Sequence, residues 1–244
     1  MTRAPTGRLI GVGVGPGDPE LLTLKAVRAL ASADIVAHFS KRGHPSNARA
    51  SAAPHLPPHV AELPLHYPVT TEIDRRDRKY IDAIQAFYND SAQALALHLD
   101  AGQCVAVLSE GDPLFYGSYM HLHVRLAHLY PTEVIPGVSA MAGCWAQSGL
   151  PIAQGDDVLS VLPGTLSEQE LVRRLSDCEA AVIMKAGRNL PKIRRALAAA
   201  GRLKRALYVE RGTMSNTRSL LLEEHMIEHA PYFSLVLVPG WDAK

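Results

Sequence analysis

The sequence predicts an α/β fold on the strength of three observations. Short apolar runs recur along the chain, from residues 9–14 to residues 233–238. Segments with helical periodicity or helix-capping residues lie between most of these runs. Turns that are rich in glycine and other small residues follow several of the runs directly. Strands that alternate with helices are typical of α/β folds, whose ligands bind beyond the carboxyl ends of the strands.

In the first half, residues 9–14 form the first predicted strand, and the residues that follow predict the start of a helix. Asp18 suits the helix cap, Pro19 the first helical position and Glu20 the positive end of the helix dipole. Six prolines between residues 44 and 68 predict an irregular excursion. The remaining predicted elements are strands near 34–36, 60–63 and 104–109 and a long polar helix over 72–99.

The second half alternates more regularly between strands and helices. Ser167 and Glu170 have the spacing of a capping box, in which each side chain satisfies a backbone donor of the other residue. A helix over 190–200 is expected to end with Gly201 as its left-handed cap. The change of pattern near residue 130 predicts two lobes, residues 1–130 and 131–244. Strands are predicted over residues 133–135, 158–162, 180–184, 206–209 and 233–238.

Composition and charge exclude several function classes. A formal net charge of +1 provides no strong basic field, which argues against a nucleic-acid partner or an acidic membrane surface. No apolar segment reaches the roughly 20 residues that a membrane-spanning helix needs, and none has signal-peptide form. Cys104, Cys144 and Cys178 are far apart, so we expect neither a disulfide framework nor a zinc knuckle. These features predict a cytoplasmic protein.

The first glycine-rich turn, GVGVGPGDPE, lies between a predicted strand and a predicted helix. This is the setting of the dinucleotide fingerprint GxGxxG. Pro16 occupies the place of the third glycine, however, where close packing of helix on strand leaves no room for a proline ring. The turn therefore argues against a nicotinamide site but still predicts backbone close to a ligand. A tight turn without a ligand is the alternative.

Four further turns of small residues also follow predicted strands, at 109–117, 135–143, 184–188 and 210–213. In the first of them Asp112 is placed to accept hydrogen bonds from a ligand ammonium or ribose, with a helix N-cap as the alternative. Five such turns at strand ends predict one ligand cleft.

The motifs GVGPGDPELLTLKA, SEGDPLFYG, PGVSA, VIMKAG and VERGT occur here in the order found in the tetrapyrrole methylases, which the chain resembles from residue 9 to residue 238. The resemblance implies two α/β lobes, with S-adenosylmethionine bound in the cleft between them and S-adenosylhomocysteine released as product. It also implies a homodimer that methylates a carbon of a tetrapyrrole in the cobalamin pathway. Matching motifs imply that the cofactor contacts Pro16, Gly111, Asp112, Phe115, Ser139, Ala140, Met184 and Gly212.

The chemistry implied by this resemblance makes few demands on side chains. Methyl transfer from a sulfonium is a direct displacement, in which orientation alone can lower the barrier by about 7–11 kcal/mol. We find no catalytic dyad in the sequence. Asp18 and Glu110 are candidates for handling the proton that the reaction releases, with a helix cap and a turn carboxylate as the respective alternatives.

A tetrapyrrole carries many carboxylates, which cationic side chains bind. The candidates for this role are Lys41, Arg42, Arg75, Arg76, Arg78 and Lys79. The alternative for residues 75–79 is a solvated helix face. We hypothesise that residues 44–68 close over the tetrapyrrole. No metal site is expected, because neither His121 with His123 nor His225 with His229 forms part of a known zinc motif.

Three other functions remain as alternatives. The first is a relative in the same family that acts after cobalt has been inserted into the ring. The second is a nicotinamide-dependent oxidoreductase, which Pro16 and the lack of a clear ribose-binding acid disfavour. The third is a scaffold protein, which has no use for glycine-rich turns at five strand ends.

Overall fold

The computed structural model describes residues 7–69, 77–226 and 230–241. The chain divides into two compact units, Met1–Ser139 and Ala140–Lys244. Within the described residues, each unit contains one sheet of five strands. The predicted α/β class is therefore confirmed.

The sheet of the first unit is parallel throughout. Its strands lie in the order β3-β2-β4-β1-β5, so β1 and β4 are internal. Both faces of these two strands are covered, which is why their residues are almost all apolar and buried. The strands are β1 (Arg8–Gly13), β2 (Ile35–Lys41), β3 (Ala61–Tyr67), β4 (Cys104–Ser109) and β5 (Thr132–Ile135).

Helices cover the two faces of this sheet. Leu95 and Tyr119 pack with Leu9 in one core, which α3 and α4 share with the strands. Leu30 and Ala48 pack with neighbours that include Val12 in the other core, beneath α1 and α2. The helices are α1 (Leu24–Ala31), α2 (Asn47–Ala52), α3 (Arg78–Asp100) and α4 (Tyr119–Leu126).

The second unit has a mixed sheet in the order β6-β7-β10-β8-β9, in which β6 and β7 are parallel and β10 runs antiparallel between β7 and β8. Leu171 and Ile193 pack with Tyr208 on one face, whereas Cys144 packs with Val182 on the other. The elements are α5 (Ala140–Ser148), β6 (Leu159–Pro163), α6 (Glu168–Ser176), β7 (Ala180–Met184), α7 (Leu190–Ala199), β8 (Leu207–Glu210), β9 (Arg218–Leu221) and β10 (Ser234–Val238).

Helix starts differ from the prediction at two places. Asp18 caps only a short 3₁₀ turn, because Leu22 is extended and Thr23 then caps α1. The Ser167 hydroxyl accepts the Glu170 N–H at 3.2 Å, as a capping box requires. The Glu170 carboxylate instead binds the side chains of Arg173 and Arg174, so only half of the box forms.

The proline-rich segment is more regular than the sequence predicts. It contains α2, a 3₁₀ turn over Ala53–His55 and strand β3. Strand β3 pairs with β2 along its whole length, from Ile35 opposite Ala61 to Lys41 opposite Tyr67. The hypothesis that residues 44–68 close over the tetrapyrrole stays a prediction, although β3 is a registered strand of the sheet.

The lobe boundary also lies later than expected. Strand β5 follows residue 130 yet pairs with β1 across four residue pairs, from Leu9 opposite Thr132 to Val12 opposite Ile135. The first unit accordingly extends to Ser139, whereas the sequence pattern placed the boundary between residues 130 and 131. None of the described helices is long and apolar enough to cross a bilayer.

Candidate functional site

Three loops leave the carboxyl edge of the first sheet at neighbouring strands. They are the β1 loop (residues 14–18), the β4 loop (residues 110–117) and the β5 loop (residues 136–139). Because β4, β1 and β5 are parallel and adjacent, all three loops begin at the same edge. Ligands of open α/β sheets bind at this edge.

Backbone hydrogen bonds join the β1 loop to the β4 loop. The Gly111 N–H donates to the Gly15 carbonyl at 2.8 Å, and the Gly15 N–H donates to the Gly111 carbonyl at 3.4 Å. One residue earlier, the Val14 N–H donates to the Ser109 carbonyl at 3.0 Å. Beyond the parallel pairing of β1 and β4, the two loops are therefore joined by an isolated antiparallel bridge between Gly15 and Gly111.

The β5 loop lies against both of the others, and glycine makes this approach possible. A Cβ atom added to Gly13 would lie 2.5 Å from the backbone nitrogen of Gly137 and 2.8 Å from the Gly111 carbonyl oxygen. A Cβ atom added to Gly137 would lie 2.9 Å from the Gly13 Cα atom and closer still to the Gly111 oxygen. No side chain fits at Gly13 or Gly137 without moving backbone.

Asp112 uses its carboxylate to hold these loops. One oxygen, Oδ1, accepts the Leu114 N–H at 2.9 Å within the β4 loop. The other, Oδ2, accepts the Gly137 N–H at 3.2 Å and so reaches the β5 loop. Asp112 is not the cap of α4, which begins at Tyr119. Its role within the chain is to tie two loops together, and a ligand contact would be additional.

The two candidate proton-handling residues have different surroundings. The Asp18 carboxylate accepts the Glu20 N–H at 2.9 Å. This bond is the one expected if Asp18 serves as a helix cap, the alternative given above. Glu110 keeps contact with solvent, but the protein around it displaces much of its hydration, and this desolvation raises the pKa of its carboxyl. Hydrogen bonds from the Asn47 side chain and from the Ala48 backbone N–H, at the start of α2, oppose that rise. Glu110 is the better placed of the two to hold a proton.

Pro16, Phe115 and Ser139 lie one in each of the three loops, and each is half-buried. The Phe115 ring packs edge-on against Tyr116, with their centroids 4.8 Å apart. The three loops therefore bring together five of the residues expected at the cofactor, since Gly111 and Asp112 lie there as well.

Backbone strain is concentrated in the predicted turns. Among the described residues, the four non-glycine residues with positive φ all lie in the turns at 109–117, 184–188 and 210–213. Such conformations cost about 1–3 kcal/mol each and cluster at functional sites. The residues are Tyr116 (φ 55°), Lys185 (φ 58°), Arg211 (φ 50°) and Thr213 (φ 71°).

In the second unit, Met184 and Gly212 lie at the carboxyl ends of β7 and β8. Met184 is half-buried, and its carbonyl accepts the Gly164 N–H at 2.7 Å. Gly212 is buried against α5, where an added Cβ atom would lie 2.5 Å from the Cys144 sulfur. Burial raises the pKa of Cys144 to about 11, so its thiol stays protonated. Ala140 is the first residue of α5.

The basic side chains proposed for substrate binding occupy two places. Lys41 and Arg42 are exposed at the carboxyl end of β2, on the same edge of the sheet as the three loops. Arg78 and Lys79 begin α3 and are exposed, and the Arg78 guanidinium pairs with Asp82 one helical turn later. An exposed ion pair of this kind fits the alternative to substrate binding, in which these residues form a solvated helix face. Arg75 and Arg76 lie outside the described residues.

Two residues that the sequence analysis missed bind the first predicted turn. The Ser51 hydroxyl donates to the Gly17 carbonyl at 3.3 Å, and His55 Nε2 lies 3.2 Å from the Pro19 carbonyl oxygen. Both belong to the segment that the prolines predicted to be irregular. The sequence feature that could have indicated a helix here is Ser46, which caps α2 by accepting the Arg49 N–H.

The histidine pairs serve packing and hydrogen bonding in the part that the structure describes. His121 stacks on Tyr88 with centroids 4.2 Å apart, and His123 Nδ1 lies 3.2 Å from the Tyr119 hydroxyl. His225 Nδ1 lies 3.1 Å from the Leu221 carbonyl, and His229 is outside the described residues. Among the described residues, no three His, Cys, Asp or Glu side chains are grouped to hold a metal ion.

Comparison with known proteins places this chain in a family. Residues 8–224 match the family described as Tetrapyrrole (Corrin/Porphyrin) Methylases. A precorrin-2 C(20)-methyltransferase from Sinorhizobium is 67% identical over 241 residues, which cover 99% of this chain and 98% of that protein. A cobalt-precorrin-2 C(20)-methyltransferase from Salmonella typhimurium is 28% identical over 95% of this chain and 96% of its own length.

A solved structure has the same fold. The uroporphyrin-III C-methyl transferase of Thermus thermophilus, crystallised in complex with S-adenyl homocysteine, superposes with a TM-score of 0.64 at 24% identity. The superposition covers 95% of this chain and 96% of that one. The family match over most of the sequence and the 67% identical relative lead to one conclusion: this chain belongs to the tetrapyrrole (corrin/porphyrin) methylases.

Proposed function

We propose that this chain transfers the methyl group of S-adenosylmethionine to C20 of precorrin-2, which gives precorrin-3A and S-adenosylhomocysteine in cobalamin biosynthesis. The observation that carries the proposal is the likeness to the Sinorhizobium enzyme along nearly the whole of both chains. The joined loops at the carboxyl edge of the first sheet support a ligand site at the place where the family motifs lie.

The cofactor would be held by backbone more than by side chains. Gly13, Gly111 and Gly137 keep the three loops in contact and so make one continuous surface at the carboxyl edge. In the first unit, Pro16, Gly111, Asp112, Phe115 and Ser139 are proposed to bind it. In the second unit, Ala140, Met184 and Gly212 are proposed to do so. When bound, the cofactor supplies an electrophilic methyl group on a sulfonium.

The remaining tasks of the protein's own residues are to orient the tetrapyrrole towards the methyl group and to accept the released proton. A meso carbon of a reduced tetrapyrrole is made nucleophilic by its conjugated nitrogens, so the protein need only align it with the methyl group. Glu110 is proposed to accept the released proton at a carboxylate oxygen. Its raised pKa favours that role, because a carboxylate whose pKa lies closer to the working pH is the stronger base.

The substrate carboxylates are proposed to bind cationic side chains at the end of β2. Lys41 and Arg42 share the carboxyl edge of the sheet with the loops. Arg75, Arg76, Arg78 and Lys79 remain part of the proposal, with Arg78 the weakest member because of its pairing with Asp82.

The second candidate is methylation of the same carbon in cobalt-precorrin-2. The relative with that name is much less similar than the Sinorhizobium enzyme, which favours the metal-free ring. Competition between precorrin-2 and cobalt-precorrin-2 for a limiting amount of enzyme distinguishes the two substrates. We expect a higher kcat/KM for precorrin-2, and the reverse ratio would assign the cobalt-bearing substrate.

Calorimetric titration tests the cofactor independently of the tetrapyrrole. We expect S-adenosylhomocysteine to bind and NADPH not to bind. Binding of NADPH without binding of S-adenosylhomocysteine would instead favour a nicotinamide-dependent oxidoreductase. We also propose that the enzyme works in the cytoplasm as a homodimer, and sedimentation equilibrium of the purified protein tests the dimer.

A further inference from the structure

Ser118 stands where a helix cap is expected but does not cap its helix. It precedes α4 directly, and serine at this position ordinarily accepts an N–H bond from the first turn of the helix. Here Ser118 has helical φ and ψ angles of −69° and −23°, and its side chain makes no capping bond. The hydroxyl instead bonds the hydroxyls of two tyrosines, Tyr67 and Tyr88.

The three hydroxyls form a chain across three elements. Tyr88, in α3, donates to Ser118 Oγ at 3.2 Å. Tyr67, the last residue of β3, bonds the same oxygen. The start of α4 is thus tied at one atom both to the end of β3 and to the middle of α3.

Ring packing holds both tyrosines in place independently of their hydroxyl bonds. The Tyr67 ring packs against both Phe39 and Phe87, with centroid distances of 5.7 and 4.9 Å. The Tyr88 ring stacks on His121, and the Arg125 guanidinium lies 5.9 Å from its centroid. Because these contacts involve the rings, replacement of either tyrosine by phenylalanine removes the hydroxyl and leaves the packing.

The three bonded hydroxyls connect the β4 loop with the ends of β2 and β3, the two regions that the proposed reaction must align. Ser118 follows Gly117, the last residue of the β4 loop, and an added Cβ atom at Gly117 would lie 2.6 Å from Ser109 Oγ. Any shift of Ser118 is therefore passed to the β4 loop. At the other end, Tyr67 pairs in register with Lys41, one of the proposed substrate cations.

We infer that Ser118, Tyr67 and Tyr88 are positioning residues for methyl transfer, which fix the β4 loop relative to the ends of β2 and β3. This inference rests on the proposed function, because the β4 loop is the proposed cofactor loop and Lys41 a proposed substrate residue. The role inferred for the three hydroxyls is to position these elements, without contact to either ligand. They set the distance between the loops that hold donor and acceptor, and small misalignments are costly in such reactions.

The inference makes a specific kinetic prediction. Loss of the Ser118 hydroxyl should lower the single-turnover rate of methyl transfer by about tenfold, since a displacement of about 1 Å costs up to a hundredfold. The Kd of S-adenosylhomocysteine and the KM of the tetrapyrrole should stay within about twofold, because the groups that bind them remain. Ser118→Ala removes no helix cap but takes a partner from two tyrosine hydroxyls, so we expect a modest fall in the unfolding temperature, and Tyr67→Phe should show a fall of similar size.

The test compares Ser118→Ala, Ser118→Thr, Tyr67→Phe and Tyr88→Phe with a matched control. Tyr130→Phe is that control, because the Tyr130 hydroxyl bonds Asp100 Oδ1 at 2.8 Å in the same unit but away from the β4 loop. Ser118→Thr keeps a hydroxyl and should recover most of the rate. The double variant Tyr67→Phe/Ser118→Ala should lose less rate than the product of the two single losses, because both single changes break the bond between Tyr67 and Ser118.

The outcomes separate this inference from the proposed function. If the unaltered protein does not methylate precorrin-2, the proposed function fails first. If it does, but Ser118→Ala transfers methyl as fast as Tyr130→Phe, the positioning role is overturned. It is also overturned if the rate and the affinity for S-adenosylhomocysteine fall by equal factors, which would mark a general disturbance of the loop.

Discussion

The Gly137 N–H donates a hydrogen bond to Oδ2 of Asp112 at 3.2 Å and thereby joins the β5 loop to the β4 loop. The β4 loop is joined in turn to the β1 loop through Gly15 and Gly111. A carboxylate and three backbone segments thus form one connected structure at the carboxyl edge of the first sheet. A substitution that shifts the backbone of one of the three loops should therefore also shift the other two.

Replacement of Asp112 by asparagine should break this connection. An amide group presents one oxygen where the carboxylate presents two, so either the Leu114 or the Gly137 N–H then faces a second donor. We expect a loss of about 1–3 kcal/mol in the free energy of unfolding and a clear rise in the Kd of S-adenosylhomocysteine. Urea unfolding and calorimetric titration measure the two effects.

Asp77→Asn provides the matched control for this substitution. Asp77 caps α3 by accepting the Lys79 N–H at 2.8 Å, and asparagine caps helices about as well as aspartate does. Equal effects of the two substitutions on ligand affinity would contradict the loop-joining role of Asp112.

Gly137→Ala should disrupt the site by a steric route. The new methyl group would lie 2.9 Å from the Gly13 Cα atom and closer to the Gly111 carbonyl, so backbone must move. We expect a lower unfolding temperature and loss of S-adenosylhomocysteine binding. Gly43→Asn is the control, because Gly43 has a positive φ with open space around it and asparagine tolerates that conformation. Retention of binding by Gly137→Ala would show that the three loops are not in close contact in solution.

Glu110→Gln should alter stability in a pH-dependent way. Desolvation raises the pKa of the folded carboxyl, so the native state binds this proton more tightly than the unfolded state does. The group therefore lowers stability as pH rises from the unfolded value of about 4.3 through the raised folded value. We expect the variant to be more stable than the unaltered protein at about pH 8 and to lose this advantage near pH 4. An identical difference at both pH values would contradict the raised pKa.

Two arginines should differ in their effect on substrate binding. Arg42 follows β2 at the carboxyl edge, whereas Arg78 is exposed on α3 and pairs with Asp82. We expect Arg42→Ala to raise the KM for the tetrapyrrole by about fivefold or more, since charged hydrogen bonds are the strong ones. Arg78→Ala should raise KM less than Arg42→Ala does, because the Arg78 guanidinium already pairs with Asp82. A larger effect at Arg78 would move the substrate site towards the start of α3.

Much of the fold could be predicted because apolar runs and helix caps are local features. The strands over 104–109 and 180–184 were predicted to the residue, since both are buried and bounded by turn residues. The proline-rich segment was predicted only in part, since a strand was expected over residues 60–63 but neither α2 nor the full length of β3 was expected. Its strand β3 is defined by pairing with β2, and its exposed residues Glu62 and His66 alternate with few buried ones.

The sequence predicted a ligand site at five turns that follow strands, and the family motifs assigned residues to it. That site stays a prediction, and the contacts that build it could not be predicted from the sequence. The sequence could not show that Asp112 bonds Gly137, because the partner is 25 residues away along the chain. Nor could it show that the Ser118 hydroxyl serves Tyr67 and Tyr88 in place of its own helix.

The most direct test of the proposed function is to locate the transferred methyl group. Purified protein would be incubated with precorrin-2 and S-adenosylmethionine labelled with carbon-13 in its methyl group, and the product examined by NMR. We predict one labelled methyl resonance, coupled to the meso position C20. Label at another ring carbon, or no label in the tetrapyrrole, would contradict the assignment of this chain as a C20-methyltransferase.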